Sequence, residues 1–189
     1  MRLPEADPAQ SPELQAAYDA FRSTRGIVSN VMKSFGHAPQ GMAAISELGR
    51  YCRYGTALTE MQKELTILIT GRGIAYAWYH HVPLGLQAGL TEAQLDALRD
   101  GRTPDGLGET EAALCDYVFA YASLKGVPQP VFARLAGLLT PRQLTDVNIT
   151  AGYYLCVASS IIAMEVQPDP PQVRDAGTSF HEAAGAGPR

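Results

Sequence analysis

The feature that most limits the folds open to this chain is an uncharged run of 18 residues at positions 147–164. That length lies at the short limit for a helix that crosses a membrane. The run also carries polar side chains along its whole length, among them Asn148, Thr150, Ser159 and Ser160. We therefore interpret it as a fully buried helix of a protein that has no membrane partner.

Signals for the start and the stop of helices divide the rest of the chain. Ser11-Pro12 and Thr140-Pro141 have the order of an N-cap followed by a proline at the first helical position, and Thr59 is a further cap. Apolar residues recur every three or four positions after these signals, as on the buried face of a helix. The predicted helices cover residues 12–24, 39–55, 60–69, 76–88, 92–100, 109–125, 130–138 and 141–165. We predict an all-α fold of about seven to eight helices.

Length and composition place these helices in one domain. A chain of 189 residues with 46% hydrophobic residues can bury a sizeable core. We predict a single all-α domain over residues 1–166. Residues 167–189 are rich in Pro, Gly and Ala, and we expect them to form an extended arm or a disordered tail.

The charge balance and the cysteines exclude several classes of partner. The chain has 15 basic and 19 acidic residues and no basic run, whereas a nucleic-acid binder needs a basic stripe. Cys52, Cys115 and Cys156 form no C-x-x-C pair, and the N-terminus has no apolar signal segment. We expect a cytoplasmic protein that holds no metal. The low share of charged residues, 18%, indicates that other subunits cover part of the surface.

Polar and aromatic side chains are densest at residues 76–83, which read Tyr-Ala-Trp-Tyr-His-His-Val-Pro. On a helix, Tyr76 and His80 share one face, and His81 lies about 100° further round. This segment is a candidate wall of a polar pocket. The alternative is that its aromatic side chains pack in the core or at a subunit interface.

Glu64 and three arginines are the other candidates for chemistry. Glu64 lies at the border of the apolar stripe of its helix, where desolvation can raise the pKa of a carboxyl group. The alternative is a solvated Glu64 that pairs with a neighbour such as Lys63. Arg50, Arg53 and Arg72 are the cations able to hold a substrate carboxylate with two hydrogen bonds, although each alone is more often a surface residue.

Three segments together resemble the carboxymuconolactone decarboxylase-like family of the AhpD-like superfamily. They are Glu-Leu-Thr-Ile-Leu at 64–68, the aromatic segment at 76–84, and Ala-Gly-Leu-Thr at 88–91. The resemblance covers roughly residues 26–168. It implies an all-α AhpD-like domain that assembles as homotrimers or homohexamers, with sites near the interfaces. Members of this group include cofactor-free decarboxylases of small lactone acids and peroxidatic disulfide enzymes.

The resemblance favours the branch without catalytic thiols. The peroxidatic branch carries C-x-x-C-x-x-x-H, and alignment on His81 places its cysteines at Ile74 and Ala77. The thiol-free branch typically reads Tyr-Glu-Trp-x-x-His, and its tyrosine, tryptophan and histidine fall on Tyr76, Trp78 and His81. This chain departs from that pattern at Ala77, where the branch has a glutamate. His81 therefore lacks the acid expected four residues before it.

With the resemblance included, we expect a cofactor-independent lyase of the decarboxylase type that acts on a small cyclic or conjugated carboxylic acid. Decarboxylation without a cofactor needs an electron sink in the substrate and a general acid that protonates the resulting carbanion. His81 is the predicted general acid or base, and Glu64 orients it or acts as a base. The remaining predicted substrate contacts are Tyr76, Trp78, Tyr79, His80, Arg72 and Arg50.

Two alternatives remain open at this point. The chain can be a catalytically impaired or non-catalytic oligomeric binding paralogue, or a Glu→Ala variant at position 77. Alkylhydroperoxidase activity is the least favoured function, because any such activity would have to use three cysteines that are far apart in the sequence.

Overall fold

The computed structural model describes residues 1–174, and over this range it is all-helical, without a β-strand. The α-helices are α1 (Pro12–Arg25), α2 (Asn30–Lys33), α3 (Pro39–Arg50), α4 (Glu60–Thr70), α5 (Ala75–Gln87), α6 (Glu92–Arg99), α7 (Glu109–Ala122), α8 (Gln129–Ala136) and α9 (Pro141–Met164). A short 3₁₀-helix covers Pro8–Gln10, and a π-helical segment covers Tyr51–Gly55. The predicted all-α fold is confirmed, and eight of the described α-helices have at least eight residues.

The predicted caps form because each places a side-chain oxygen on an otherwise unpaired backbone N–H group. Ser11 accepts a hydrogen bond from the backbone N of Leu14 at 3.2 Å. Thr59 and Gln62 form a reciprocal capping box at the start of α4. At the other end of α1, Gly26 adopts φ 75°, a left-handed conformation that favours glycine.

The chain groups into two compact units. The first unit contains residues 1–50 and the described residues from Ser160 onward, and the second contains Tyr51–Ser159. The single domain predicted for residues 1–166 therefore stays a prediction.

In the first unit, part of the predicted C-terminal tail is ordered against α2. The backbone N of Asn30 donates to Oδ1 of the buried Asp169 at 2.8 Å, and its side-chain amide donates to the carbonyl of Gln167 at 3.1 Å. The start of the predicted tail is thus held by hydrogen bonds. The rest of that prediction concerns residues 175–189, which lie outside the described residues.

In the second unit, α4 is surrounded by other elements and is buried from residue 62 to residue 70. It packs mainly against α7 and α5. The fully buried apolar side chains of this core are Leu65, Leu68, Leu95, Leu98, Leu114, Val118, Leu135 and Val147. Any polar side chain on the middle of α4 is therefore forced into the protein interior.

The prediction that the uncharged run forms a fully buried helix is wrong. By length and composition α9 is apolar enough to span a membrane. Its most apolar window of 18 residues has a mean hydropathy of 1.5, but only 39% of that window is buried. Val147 and Ala151 lie in the core, whereas Cys156, Ser159 and Ile162 are exposed. A helix that packs on its own chain along one face leaves the opposite face uncovered. The expected absence of a membrane partner stays a prediction.

Candidate active site

The candidate site begins with Glu64, a carboxylate in the middle of the buried helix α4. Its side chain is only 1% exposed. A carboxylate that is removed from water needs charged or hydrogen-bonding partners, because otherwise it loses its charge. Each of its two oxygens has such a partner, one from the π-helical segment and one from α5.

The first partner is Arg53, which lies in the π-helical segment Tyr51–Gly55. Its Nη1 donates a short hydrogen bond to Oε1 of Glu64, and its side chain is 8% exposed. The backbone carbonyl of Arg53 accepts a hydrogen bond from Nζ of Lys63 at 3.0 Å, and the same Nζ lies 2.5 Å from Glu60. Helix α4 therefore binds both the backbone and the side chain of Arg53. Single π-helical turns occur frequently at functional sites.

The second partner is His81 on α5. Its Nδ1 lies 2.9 Å from Oε2 of Glu64, and its side chain is 16% exposed. Because an ionised carboxylate only accepts hydrogen bonds, Nδ1 carries the proton and the neutral ring has its lone pair on Nε2. No described residue forms a hydrogen bond with Nε2. Arg53, Glu64 and His81 thus form a chain of contacts that ends on a ring nitrogen able to take up or release a proton.

The electrostatics of Glu64 correct the sequence-based expectation. Glu64 is drawn inward as predicted, and burial alone would raise its pKa. The charge and hydrogen bond of His81, followed by those of Arg53, outweigh burial and hold the pKa of Glu64 below its ordinary value. The predicted upward shift is therefore wrong, because the sequence did not show that Arg53 and His81 both reach the same carboxylate.

Tyr154 on α9 adds an aromatic side chain to the site. Its ring meets the ring of His81 edge-on, with 5.5 Å between the centroids. Burial lowers the pKa of Arg53, but the charges of Glu64, Tyr154 and Glu60 outweigh it and raise that pKa. Tyr154 therefore contacts His81 and acts electrostatically on Arg53. Tyr154 is not among the residues predicted for the site, because the uncharged run 147–164 indicates only a packing helix.

The other aromatic candidates on α5 lie against one another or in the core. The rings of Tyr76 and His80 are 4.6 Å apart, and Tyr79 meets His80 edge-on at 5.3 Å. Trp78 is buried in the core, and the guanidinium of Arg99 covers its ring at 4.7 Å. These contacts fit the packing alternative for the segment. The role of these residues as substrate contacts stays a prediction.

Of the three arginines considered from the sequence, only Arg53 reaches Glu64. Arg50 belongs to the first unit, is exposed, and donates from Nε and Nη2 to Glu47 at 2.8 and 2.5 Å. Arg72 is exposed, and its guanidinium lies over Gly101, whose φ of 80° and missing Cβ leave room for it. The predicted anchoring of a substrate carboxylate by Arg72 or Arg50 has no further contact to support it and stays a prediction.

The three cysteines take no part in the contacts that join Arg53, Glu64 and His81. Cys115 is buried, and its burial, followed by the charges of Asp116 and Glu111, raises the pKa of the thiol to about 12. Cys52 is also buried, Cys156 is exposed, and none of the three forms a disulfide. Within the described residues no group of three or more potential metal ligands comes together. The predicted absence of a metal and of a cofactor stays a prediction.

Comparison with solved structures identifies the fold. A cysteine-to-alanine variant of the debrominase Bmp8 in complex with 2,3,4-tribromopyrrole superposes with a TM-score of 0.70 at 17% identity, over 93% of this chain and 95% of that one. Bmp8 without ligand gives 0.70 at 16%, over 94% and 96%. A protein of unknown function from Agrobacterium tumefaciens, ATU0492, described in relation to the antioxidant defence protein AhpD, gives 0.64 at 17%, over 72% and 95%.

No protein-family model and no curated protein matches the sequence. At these identities the solved structures show the fold alone. The chain has an AhpD-like helical fold, as predicted. Membership of the thiol-free carboxymuconolactone decarboxylase branch stays a prediction.

Proposed function

We propose that the protein is a cofactor-independent lyase of the decarboxylase type, which acts on a small cyclic or conjugated carboxylic acid. The observation that carries the proposal is the contact of Nδ1 of His81 with Glu64, which Arg53 holds from the other side. A histidine that is oriented by a buried carboxylate, and whose second nitrogen forms no hydrogen bond with residues 1–174, has the arrangement of a general acid or base.

Each group of this arrangement has a role in the proposed reaction. The bond to the carboxylate carbon breaks, its electron pair enters the conjugated system of the substrate, and carbon dioxide leaves. Protonated His81 then delivers the proton on Nε2 to the carbanionic carbon and takes up another from water. Glu64 stabilises the charged imidazole ring, and the phenol of Tyr154 is a candidate donor to the oxygen on which negative charge develops.

The acid partner of His81 argues for an enzyme and against the impaired paralogue. The sequence lacks an acid at Ala77, but Glu64 on the neighbouring helix places a carboxylate oxygen 2.9 Å from Nδ1 of His81. Ala77 itself packs closely against the end of α4. A Cβ added at Gly71 would lie only 2.6 Å from the Cβ of Ala77, so the end of α4 and the start of α5 approach closely there. Ala77 is therefore compatible with an intact site.

The solved structures add support of a general kind. Bmp8 is a debrominase, and its variant binds 2,3,4-tribromopyrrole, a small conjugated ring. A substrate of similar size and flat shape suits a site whose exposed end is formed by the rings of His81 and Tyr154. Protein-bound small molecules of this kind are commonly held by aromatic walls with few polar groups.

The test is a measurement of carbon dioxide release from a panel of small unsaturated lactone acids and conjugated keto acids. We expect His81→Gln to lower the rate about 10²–10⁴-fold, the range of general acid–base catalysis. The matched control is His37→Gln, because His37 is an exposed histidine of the first unit and should leave the rate unchanged.

Two outcomes would contradict the proposal. One is an equal rate for His81→Gln and His37→Gln. The other is the absence of release from every acid while several of them perturb the NMR signals of His81, a result that would favour the non-catalytic binding paralogue.

A further inference from the structure

We propose that Asp146 on α9 is a positioning residue, which fixes both ends of the π-helical segment from which Arg53 reaches Glu64. The inference rests on the proposed function only for its effect on catalysis. Its structural content, that a remote carboxylate sets the geometry of His81, can be tested without a substrate.

Asp146 binds one residue at each end of the segment. The hydroxyl of Tyr51 donates to its Oδ1 at 2.5 Å, and the backbone N of Ala57 donates to its Oδ2 at 2.8 Å. The side chain of Asp146 is 0% exposed. Tyr51 is the first residue of the π-helical segment, and Ala57 follows its last residue by two positions. One buried carboxylate therefore spans the whole turn.

Arg142, one helical turn before Asp146, completes the attachment. Its Nε lies 3.1 and 3.2 Å from the two oxygens of Asp146, and its Nη2 donates to the carbonyl of Gly55 at 3.0 Å. The guanidinium also lies over the ring of Tyr51, 5.8 Å from its centroid. All hydrogen bonds of the Asp146 side chain with described residues go to Tyr51, Ala57 or Arg142.

The segment needs such attachments because a π-helical turn is rare and has few intrinsic advantages over an α-helical one. Of its carbonyl groups, that of Arg53 accepts from Lys63 on α4 and that of Gly55 accepts from Arg142 on α9. The segment is thus fixed by α4 in its middle and by α9 at its ends. A shift of either end would displace the guanidinium of Arg53 from Glu64, and His81 would lose the fixed orientation of its partner.

The experiment compares four single substitutions in the full chain. Asp146→Leu removes both attachments, and Asp146→Asn is the conservative variant that retains one acceptor oxygen. Tyr51→Phe removes a single hydrogen bond and carries the test if Asp146→Leu does not fold. The matched control is Asp116→Leu on α7, because Asp116 also accepts from one hydroxyl, that of Thr103 at 2.5 Å, and from one arginine, Arg134 at 2.8 Å.

Two readouts separate positioning from plain stabilisation. The first is the hydrogen exchange of the amides at residues 51–57, and the second is the ratio of the two neutral tautomers of His81, measured by imidazole ¹⁵N NMR. We expect Asp146→Leu and Tyr51→Phe to speed exchange in the segment about tenfold or more, the size expected for a lost hydrogen bond. We also expect them to lower the share of the Nδ1–H tautomer, with Asp146→Asn in between.

The proposal is overturned if both readouts match those of Asp116→Leu, even when the melting temperatures of all variants fall. Loss of lyase activity with an unchanged His81 tautomer ratio would also overturn it. A chain that shows no lyase activity but has the expected NMR changes would contradict the proposed function alone, and the positioning role of Asp146 would stand.

Discussion

Glu64 and Asp146 are both fully buried carboxylates on core helices, and each contacts an arginine. They differ in the other groups that form hydrogen bonds with the carboxylate. Glu64 shares its charge with His81, a ring that can gain or lose a proton and still reaches solvent. Asp146 binds a phenol, a backbone N–H and an arginine, none of which changes its protonation near neutral pH. We therefore propose that similar burial serves proton transfer in one case and fixes the backbone in the other.

The two arginines offer the strongest test of this difference. Arg53 is buried with Glu64, so Arg53→Met leaves a buried carboxylate with only His81 and should cost about 3–5 kcal/mol of unfolding free energy. The side chain of Arg142 is 59% exposed, and after Arg142→Met the carboxylate of Asp146 keeps Tyr51 and the N–H of Ala57. We therefore expect a much smaller loss for Arg142→Met. Urea unfolding of both variants measures the two costs.

A double variant sharpens the same comparison. Arg53→Met combined with Glu64→Leu removes both charges, and it should recover part of the stability lost in Arg53→Met, because no uncompensated charge remains buried. Equal unfolding free energies for Arg53→Met and Arg142→Met would show that the two carboxylates are equivalent, against our interpretation.

The acid side of the stability curve tests the charge of Glu64. Burial raises the pKa of this carboxyl group, but His81 and Arg53 outweigh burial and lower it below the ordinary 4.5. The folded state thus binds fewer protons than the unfolded state at acidic pH. Stability from Glu64 is fully present above about pH 4.5 and is lost as the pH falls through the lowered pKa.

Urea midpoints measured between neutral pH and pH 3 check that folding lowers the pKa of Glu64. In Glu64→Gln the group no longer titrates, so the midpoint should start lower at neutral pH and fall less steeply below pH 4.5 than in the unmodified chain. Parallel curves for the two proteins would mean that the pKa of Glu64 is not lowered by folding.

The sequence predicted those parts of the fold that depend on neighbouring residues. The cap at Ser11 and the capping box at Thr59 are local, and the helices begin where these residues stand. The contact of Glu64 with His81 was expected from the resemblance to a family. The sequence does not distinguish Arg53 from Arg50 and Arg72, because a π-helical turn breaks the periodicity from which side-chain direction is inferred.

Residues that act through tertiary contacts gave no sequence signal. Tyr154 and Asp146 belong to α9, and the partners that give them their place, His81, Tyr51 and Ala57, are 73 or more positions away along the chain. The burial of α9 was overestimated for the same reason, since the number of faces that a helix packs is decided by the rest of the fold. The direction of the pKa shift of Glu64 likewise depended on His81 and Arg53, which reach it from other elements of the fold.

The smallest expected effect is on the rate at which the thiol of Cys52 is modified, which reports how each of the two carboxylates holds the π-helical segment. Cys52 is buried beside Arg53, so iodoacetamide can modify it only when the segment opens. Because Asp146 fixes the ends of the segment, Asp146→Leu should speed the modification of Cys52. Glu64→Gln removes only a side-chain contact in the middle of the turn, and we expect a smaller increase.

The other two cysteines calibrate this measurement in the same chain by peptide mass spectrometry. Cys156 is exposed and should react at once, whereas Cys115, whose pKa burial raises to about 12, should react only on global unfolding. If Cys52 reacts at the rate of Cys115 in every variant, the segment never opens separately. Asp146 would then hold the whole second unit and not the turn that carries Arg53.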